Sequence, residues 1–185
     1  MASQQLKRMT LDEFLAWAER QPRGRYELIH GQPVAMAAER VRHARVKHQI
    51  MTVLQTAIAR AGLNCEALPD GSAVPIQGVA TREPDALVYC GPRLDGDAIL
   101  VPSPVIVVEV MSPSTRGTDA WDKVDDYLSV PSIHHYLIVD PIARKVIHHL
   151  REGLVWRVSE VAADGTLVLD PPGLVLGMGD LLSET

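Results

Sequence analysis

Long apolar runs are missing from this 185-residue chain: no stretch reaches the roughly 18 apolar residues of a membrane-spanning helix. The opening residues, MASQQLKRMTLDEF, lack the apolar centre of a secretory leader, so a cytoplasmic protein with no membrane partner is expected. Cysteine is scarce as well. Cys65 and Cys90 have neither CxxC spacing nor a disulfide-rich context, and two ordinary buried thiols in a reducing compartment are expected. An excess of positive charge is also absent; the net charge of −5 argues against broad, non-specific attraction to nucleic acid. No G-x-S-x-G context surrounds Ser112 or Ser114, which argues against a nucleophilic serine and leaves both as loop and helix-entry groups. Trp17, Trp121 and Trp156 are scattered, without the basic–aromatic interleaving of a single-strand stacking surface. There is no internal repeat, low-complexity segment or interdomain linker.

What is present suits one domain over residues 1–185, since 46% hydrophobic content can fill a real core. Charge is unevenly spread. Residues 1–60 hold ten Lys/Arg against five Asp/Glu, whereas residues 61–185 hold eight against eighteen. A basic first third on an acidic body fits a phosphate-facing patch beside an acidic metal site, but from charge alone an ordinary solvated helix is the preferred reading.

Thr10 and Glu13 form a capping-box pattern that opens a helix running to about Arg20. RYELI and QPVAMA read as two strands joined at His30-Gly31, with Glu27 inside the first. From 41 to 61, Val46, Ile50, Val53, Leu54, Ala57 and Ile58 recur at helical spacing, and Gly62 supplies the stop. The first two turns of this helix carry Arg40, Arg42, His43, Arg45, Lys47 and His48, for which a solvated face is the simpler reading. Strands follow at 64–68 and 73–77, then two strongly apolar ones at 86–89 and 105–111, the mark of central strands covered on both faces. A helix over 119–128, a strand at 136–139 and a strand series at 145–150, 155–161 and 166–169 complete the pattern, with one more short element at the C-terminus.

The chemistry concentrates between residues 83 and 123. An acid inside a run such as VIVVEVM is costly to bury without compensation. If strands 86–89 and 105–111 are neighbours, Asp85 and Glu109 converge at the end of the sheet. Like charges that close push one pKa up unless a cation lies between them. Oxygen-only ligands favour Mg2+ or Mn2+, which can activate water and neutralise charge in phosphoryl chemistry. Asp119, Lys123 and Tyr127 are spaced i, i+4, i+8 on one helix face, so Lys123 can reach the site if that helix packs beside Glu109. A simple surface pair of Lys123 with Asp119 is the competing reading.

Taken in order, YELIHGQPV, His43, EPDALVY, VVEVMSPST, DAWDKVDDY and HYLIVDP resemble the bacterial Uma-two family, a restriction-endonuclease-like branch of the PD-(D/E)XK nuclease superfamily. The resemblance runs from about residue 9 to 182. It implies an α/β fold: a restriction-endonuclease-like core with a mixed central β-sheet flanked by helices, preceded by a helix and β-hairpin and followed by additional antiparallel strands. It implies Asp85 and Glu109 as ligands of Mg2+ or Mn2+, Lys123 as the catalytic lysine, and Glu27 as a further ligand or water-orienting base. His43, Arg42 and Tyr127 are the expected substrate contacts. The superfamily usually places its lysine two residues after the glutamate, where this chain has Met111; the family moves it to the next helix, where Lys123 stands. The implied activity is hydrolysis of phosphodiester bonds in double-stranded DNA; a homodimer is expected separately, because a sheet-rich core with a helix–hairpin addition suits one and cutting both strands would benefit from it. The competing functions are a catalytically inactive binding or assembly module on the same fold, and a phosphodiesterase for a small substrate.

The pairs His134-His135 and His148-His149 are not read as metal sites, because neighbours on a strand face opposite sides. Asp140-Pro141 reads as a strand-ending turn.

Overall fold

The computed structural model describes residues 8–36, 38–77, 80–111 and 119–183, and the side chains of 119–122 are not part of that description. Ser112 and Ser114 lie outside the described residues, as do the side chains of Asp119 and Trp121. In chain order the elements are α1 (Leu11–Ala18), β1 (Tyr26–Ile29), β2 (Gln32–Ala35), α2 (Val41–Ala61), β3 (Cys65–Pro69), β4 (Val74–Ile76), β5 (Ala80–Arg82), β6 (Ala86–Cys90), β7 (Pro104–Val110), α3 (Asp119–Leu128), β8 (His135–Asp140), β9 (Lys145–Glu152), β10 (Val155–Ala162), β11 (Thr166–Leu169), β12 (Leu174–Gly177) and α4 (Met178–Leu181).

Local signals explain most of these boundaries. Thr10 and Glu13 make both bonds of the capping box at the start of α1. At the β1–β2 turn both His30 and Gly31 have positive φ, the backbone that a two-residue hairpin demands. Gly62 closes α2 in the left-handed conformation, its N–H and that of Leu63 both donating to the carbonyl of Ile58.

Six strands form the central sheet in the order β10-β9-β8-β7-β6-β3, antiparallel throughout except between β7 and β8, which run parallel. A parallel pair needs a crossover, and α3 supplies it. A second, four-stranded sheet has the order β2-β1-β5-β4. Among the described residues β11 and β12 pair only with each other, so the strand series read in the C-terminal sequence divides between two sheets. Alternation along the central strands builds two cores. Ile106, Val108 and Val110 of β7 pack toward α2, β11, β12 and α4. Val107, with Leu87, Tyr136 and Ile138, packs toward α3 and β4–β5. Both faces are covered, which is why β6–β8 read as nearly continuous apolar runs.

Two expectations are corrected. Cys65 and Cys90 are not free thiols: β3 and β6 place them directly opposite each other, and they form a disulfide. The C-terminus folds as a strand and a short helix rather than one element.

The histidine pairs behave as alternation requires. His135 and His148, on neighbouring strands, share a hydrogen bond between Nδ1 and Nε2 at 2.9 Å on one face, while His149 stacks on Tyr136 on the other. Burial, together with the repulsion between nearby imidazoles, holds His135 and His148 down at about 4. Their folded pKa values lie below the unfolded value near 6.5, so the unfolded chain binds more protons below that pH. Stability is therefore fully present above pH 6.5 and is lost as pH falls toward 4. Urea denaturation at pH 7.5 and 4.5 should show a loss of at least about 2 kcal/mol that is largely absent in a His135→Leu/His148→Leu variant.

Candidate active site

The site lies where the ends of β6 and β7 meet the N-terminal turns of α2 and the face of α3. Ala86 pairs with Val108, and one further step along this antiparallel register sets Asp85 against Glu109. Asp85 Oδ2 accepts the N–H of Val110 at 2.7 Å, which fixes its carboxylate beside β7. Glu109 points to the α3 side. There Lys123 Nζ donates to its two oxygens at 3.0 and 3.1 Å, and the buried Tyr127 hydroxyl donates to Oε1 at 2.8 Å. Burial raises the Glu109 pKa, Lys123 opposes that rise and the charge of Asp85 adds to it; the net direction is upward. Burial would lower Lys123, but Glu109, Glu27 and Asp85 outweigh it and keep the ammonium charged.

Glu27, buried on β1, completes the α3 side. Its Oε1 accepts the N–H of Glu83 at 3.0 Å and lies 3.9 Å from Lys123 Nζ. Arg82 on β5, 3% exposed, joins this group to α3: its guanidinium bonds Asp126 at 2.6 Å and approaches Glu27 Oε2 at 3.6 Å.

From the opposite side α2 projects His43 and Lys47, one turn apart. His43 Nδ1 faces Glu39 Oε2 at 2.6 Å, and Nε2 faces the Val110 carbonyl at 2.9 Å and Asp85 Oδ2 at 3.5 Å. Burial lowers the His43 pKa, but these oxygen partners favour an imidazole that donates from both nitrogens, and the net shift is upward. Lys47 Nζ donates to Asp70 at 2.7 Å and to both Glu39 oxygens at 3.1 Å, and lies 3.3 Å from Asp85 Oδ1. These groups line a cleft of about 1250 Å³ overhung by the β1–β2 hairpin, with Arg42 exposed at its rim.

The profile of the Uma2 (Uma-two) family, described as "Putative restriction endonuclease", matches residues 11–182. The chain belongs to the Uma2 family. An uncharacterized Synechocystis protein, slr1290, is 30% identical over 171 residues, covering 90% of this chain and 87% of the relative. A second, sll1609, is 24% identical over 161 residues, covering 85% and 90%. The fold is similar to a crystal structure from Anabaena variabilis described as a putative nuclease belonging to DUF820. The TM-score is 0.75 at 19% identity, covering 95% of this chain and 98% of that one. The fold class is thus restriction-endonuclease-like, with a mixed sheet between helices.

Within this Uma2 chain, Asp85, Glu109, Lys123 and Glu27 converge on one cleft, and the 119–128 helix presents Lys123 and Tyr127 to Glu109 on a shared face. Tyr127 is fully buried beneath Glu109, a place from which it orients the carboxylate. His43 engages both ring nitrogens with protein oxygens, so a phosphate contact requires it to release one. Lys47, expected on a solvated face, is instead buried at the cleft, and Arg82, which no sequence motif marks, lines it as well. Lys47 shares the stripe of Ile50, Leu54 and Ile58, and a charge on a core stripe signals a buried, partnered group. It is also one of only four lysines in the sequence.

The donor set fits a hard divalent cation. Asp85 and Glu109 are adjacent, both open on the cleft, and the upward shift of Glu109 is the electrostatic cost that a cation would relieve. Among the described residues no group of three or more metal-ligating side chains is assembled. Two carboxylates with water and a phosphate oxygen are how Mg2+ is commonly held.

Proposed function

We propose that this protein is a Mg2+- or Mn2+-dependent endonuclease that hydrolyses phosphodiester bonds in double-stranded DNA. The observation that carries the reading is the juxtaposition of Asp85 and Glu109 with the Lys123 ammonium on Glu109. Asp85 and Glu109 would hold the ion, which when bound polarises a phosphate oxygen and lowers the pKa of water. Lys123 keeps its proton and directs positive charge at the phosphate as negative charge develops on it. Glu27, 3.9 Å from that ammonium, orients it and can accept a proton from the attacking water. Water oxygen bonds to phosphorus as its proton passes to Glu27, the bond to the leaving sugar oxygen breaks, and that oxygen takes a proton from solvent water. Arg42 at the rim contacts the DNA backbone, and His43 braces Asp85. A homodimer would present two such sites to the two strands, and DNA in the cytoplasm would be the substrate, although the Cys65–Cys90 disulfide removes the free-thiol argument for that compartment.

The test is nicking of supercoiled plasmid with and without Mg2+ by the wild type, Asp85→Ala and Glu109→Ala. Metal-dependent nicking by the wild type and none by the variants is expected; nicking that survives in both variants overturns the reading. A second reading, a binding or assembly module without catalysis, draws on the fact that both carboxylates already have cationic partners within the protein. Absence of any Mn2+ binding at millimolar concentration would favour it.

A further inference from the structure

Asp85 and Glu109 each carry a lysine, and the two lysines differ in what else they hold. Lys123 has Glu109 at 3.0 Å, and its next carboxylate among the described residues, Glu27, is 3.9 Å away. Lys47 is arranged the other way. Its shortest contact, 2.7 Å, is with Asp70; Glu39 follows at 3.1 Å; and Asp85 is the most distant at 3.3 Å. Asp70 is in turn clamped by Arg25 at 2.7 Å, and Arg25 also holds Glu83 at 2.6 Å. Lys47 can therefore withdraw from Asp85 while keeping two carboxylates, whereas Lys123 cannot leave Glu109 without losing its only close partner among the described residues.

A divalent ion entering between Asp85 and Glu109 would meet both ammonium groups, and Lys47, which already lies nearer to Asp70 and Glu39 than to Asp85, can give way without leaving its closest partners. We propose that Lys47 is a resident cation that competes with the divalent ion for Asp85 and yields to it, so that the Lys47–Asp70–Glu39 cluster sets the ion affinity of the site. The inference rests on the reading that Asp85 and Glu109 hold such an ion. Lys47 is a positioning residue: without metal it neutralises Asp85 and keeps the two carboxylates from repelling each other. With metal it is drawn onto Asp70 and Glu39, at the edge of the cleft where α2 meets the β3–β4 turn.

The experiment is calorimetric titration of the full chain with MnCl2, for the wild type, Lys47→Met, Asp70→Asn and the double variant. Lys47→Met should bind Mn2+ about 10-fold more tightly, because one unit of competing charge at contact distance is gone. Asp70→Asn should bind more weakly than the wild type, since Lys47 then leans on Asp85. That weakening should vanish in the double variant, which a through-space loss of one negative charge would not produce. The gain in Lys47→Met should persist in 0.5 M NaCl, where effects of distant charges are screened.

Wild-type binding with unchanged or weaker binding in a cooperatively folded Lys47→Met overturns the proposal alone and makes Lys47 a structural cation. If Lys47→Met does not fold, unchanged or tighter binding in Asp70→Asn overturns it. Absence of Mn2+ binding in the wild type and in every folded variant overturns the underlying metal reading and the proposal with it. Binding that appears only in the two variants lacking Lys47 supports both.

Discussion

Lys123→Met should lower metal-dependent cleavage by about 10²–10³-fold while leaving Mn2+ binding in place. The side chain is the only cation within 3.1 Å of Glu109 among the described residues, and it remains charged because three carboxylates outweigh its burial. Glu109→Gln removes both cleavage and metal binding on the same account, so the two variants separate the lysine's part from the ligand's. The displaced position of the lysine offers a sharper form of the test. Met111 lines the same cleft, two residues beyond Glu109 along the same chain direction, where the wider superfamily usually carries its lysine. Introducing Met111→Lys into Lys123→Met should recover cleavage at least about 10-fold, because a charge in the right place matters more than the element that bears it. Single-turnover rates at saturating Mg2+ read both effects. A Lys123→Met enzyme as fast as wild type would remove Lys123 from the chemistry.

The largest expected effect on stability falls at Arg82. Removing one member of a buried ion pair leaves the others charged and without compensation, which typically costs about 3–5 kcal/mol. Arg82 holds Asp126 of α3 on one side and faces Glu27 of β1 on the other, and all of these are largely shielded from water. Arg82→Met should reduce the free energy of unfolding by that amount in urea titrations. Arg82→Lys should restore only part, since a point charge cannot replace the guanidinium that bonds Asp126 through two nitrogens. An Arg82→Met protein as stable as wild type would show the network to be ornamental to the fold.

These cases also show which parts of the molecule can be read from residues alone. The long helix, the two central strands and the α3 face were legible because each has one strong period and a marked end: the stripe that closes at Gly62, the apolar runs at 86–89 and 105–111, and the i, i+4 spacing of Lys123 and Tyr127. An acid inside an apolar run also identifies itself, because its burial demands a partner. β5 was not legible. Its three residues, Ala80–Arg82, are too short to show a period, yet they place Arg82 between β1 and α3. Lys47 was hidden among five other basic or imidazole groups on the first turns of α2; only its position on the core stripe separates it from exposed Arg42 and Arg45. The Cys65–Cys90 bond depends on the register of β3 against β6, and a separation of 25 residues says nothing of that register. The same holds for the hydrogen bond between His135 and His148, which lie on two strands joined by a tight turn.

Asp85 and Glu109 are proposed to bind one divalent ion between them. A crystal soaked in Mn2+ and measured at the manganese absorption edge tests it most directly. A single anomalous peak at about 2 Å from an oxygen of each carboxylate is expected. No peak there at saturating Mn2+, or one on other residues, would contradict it.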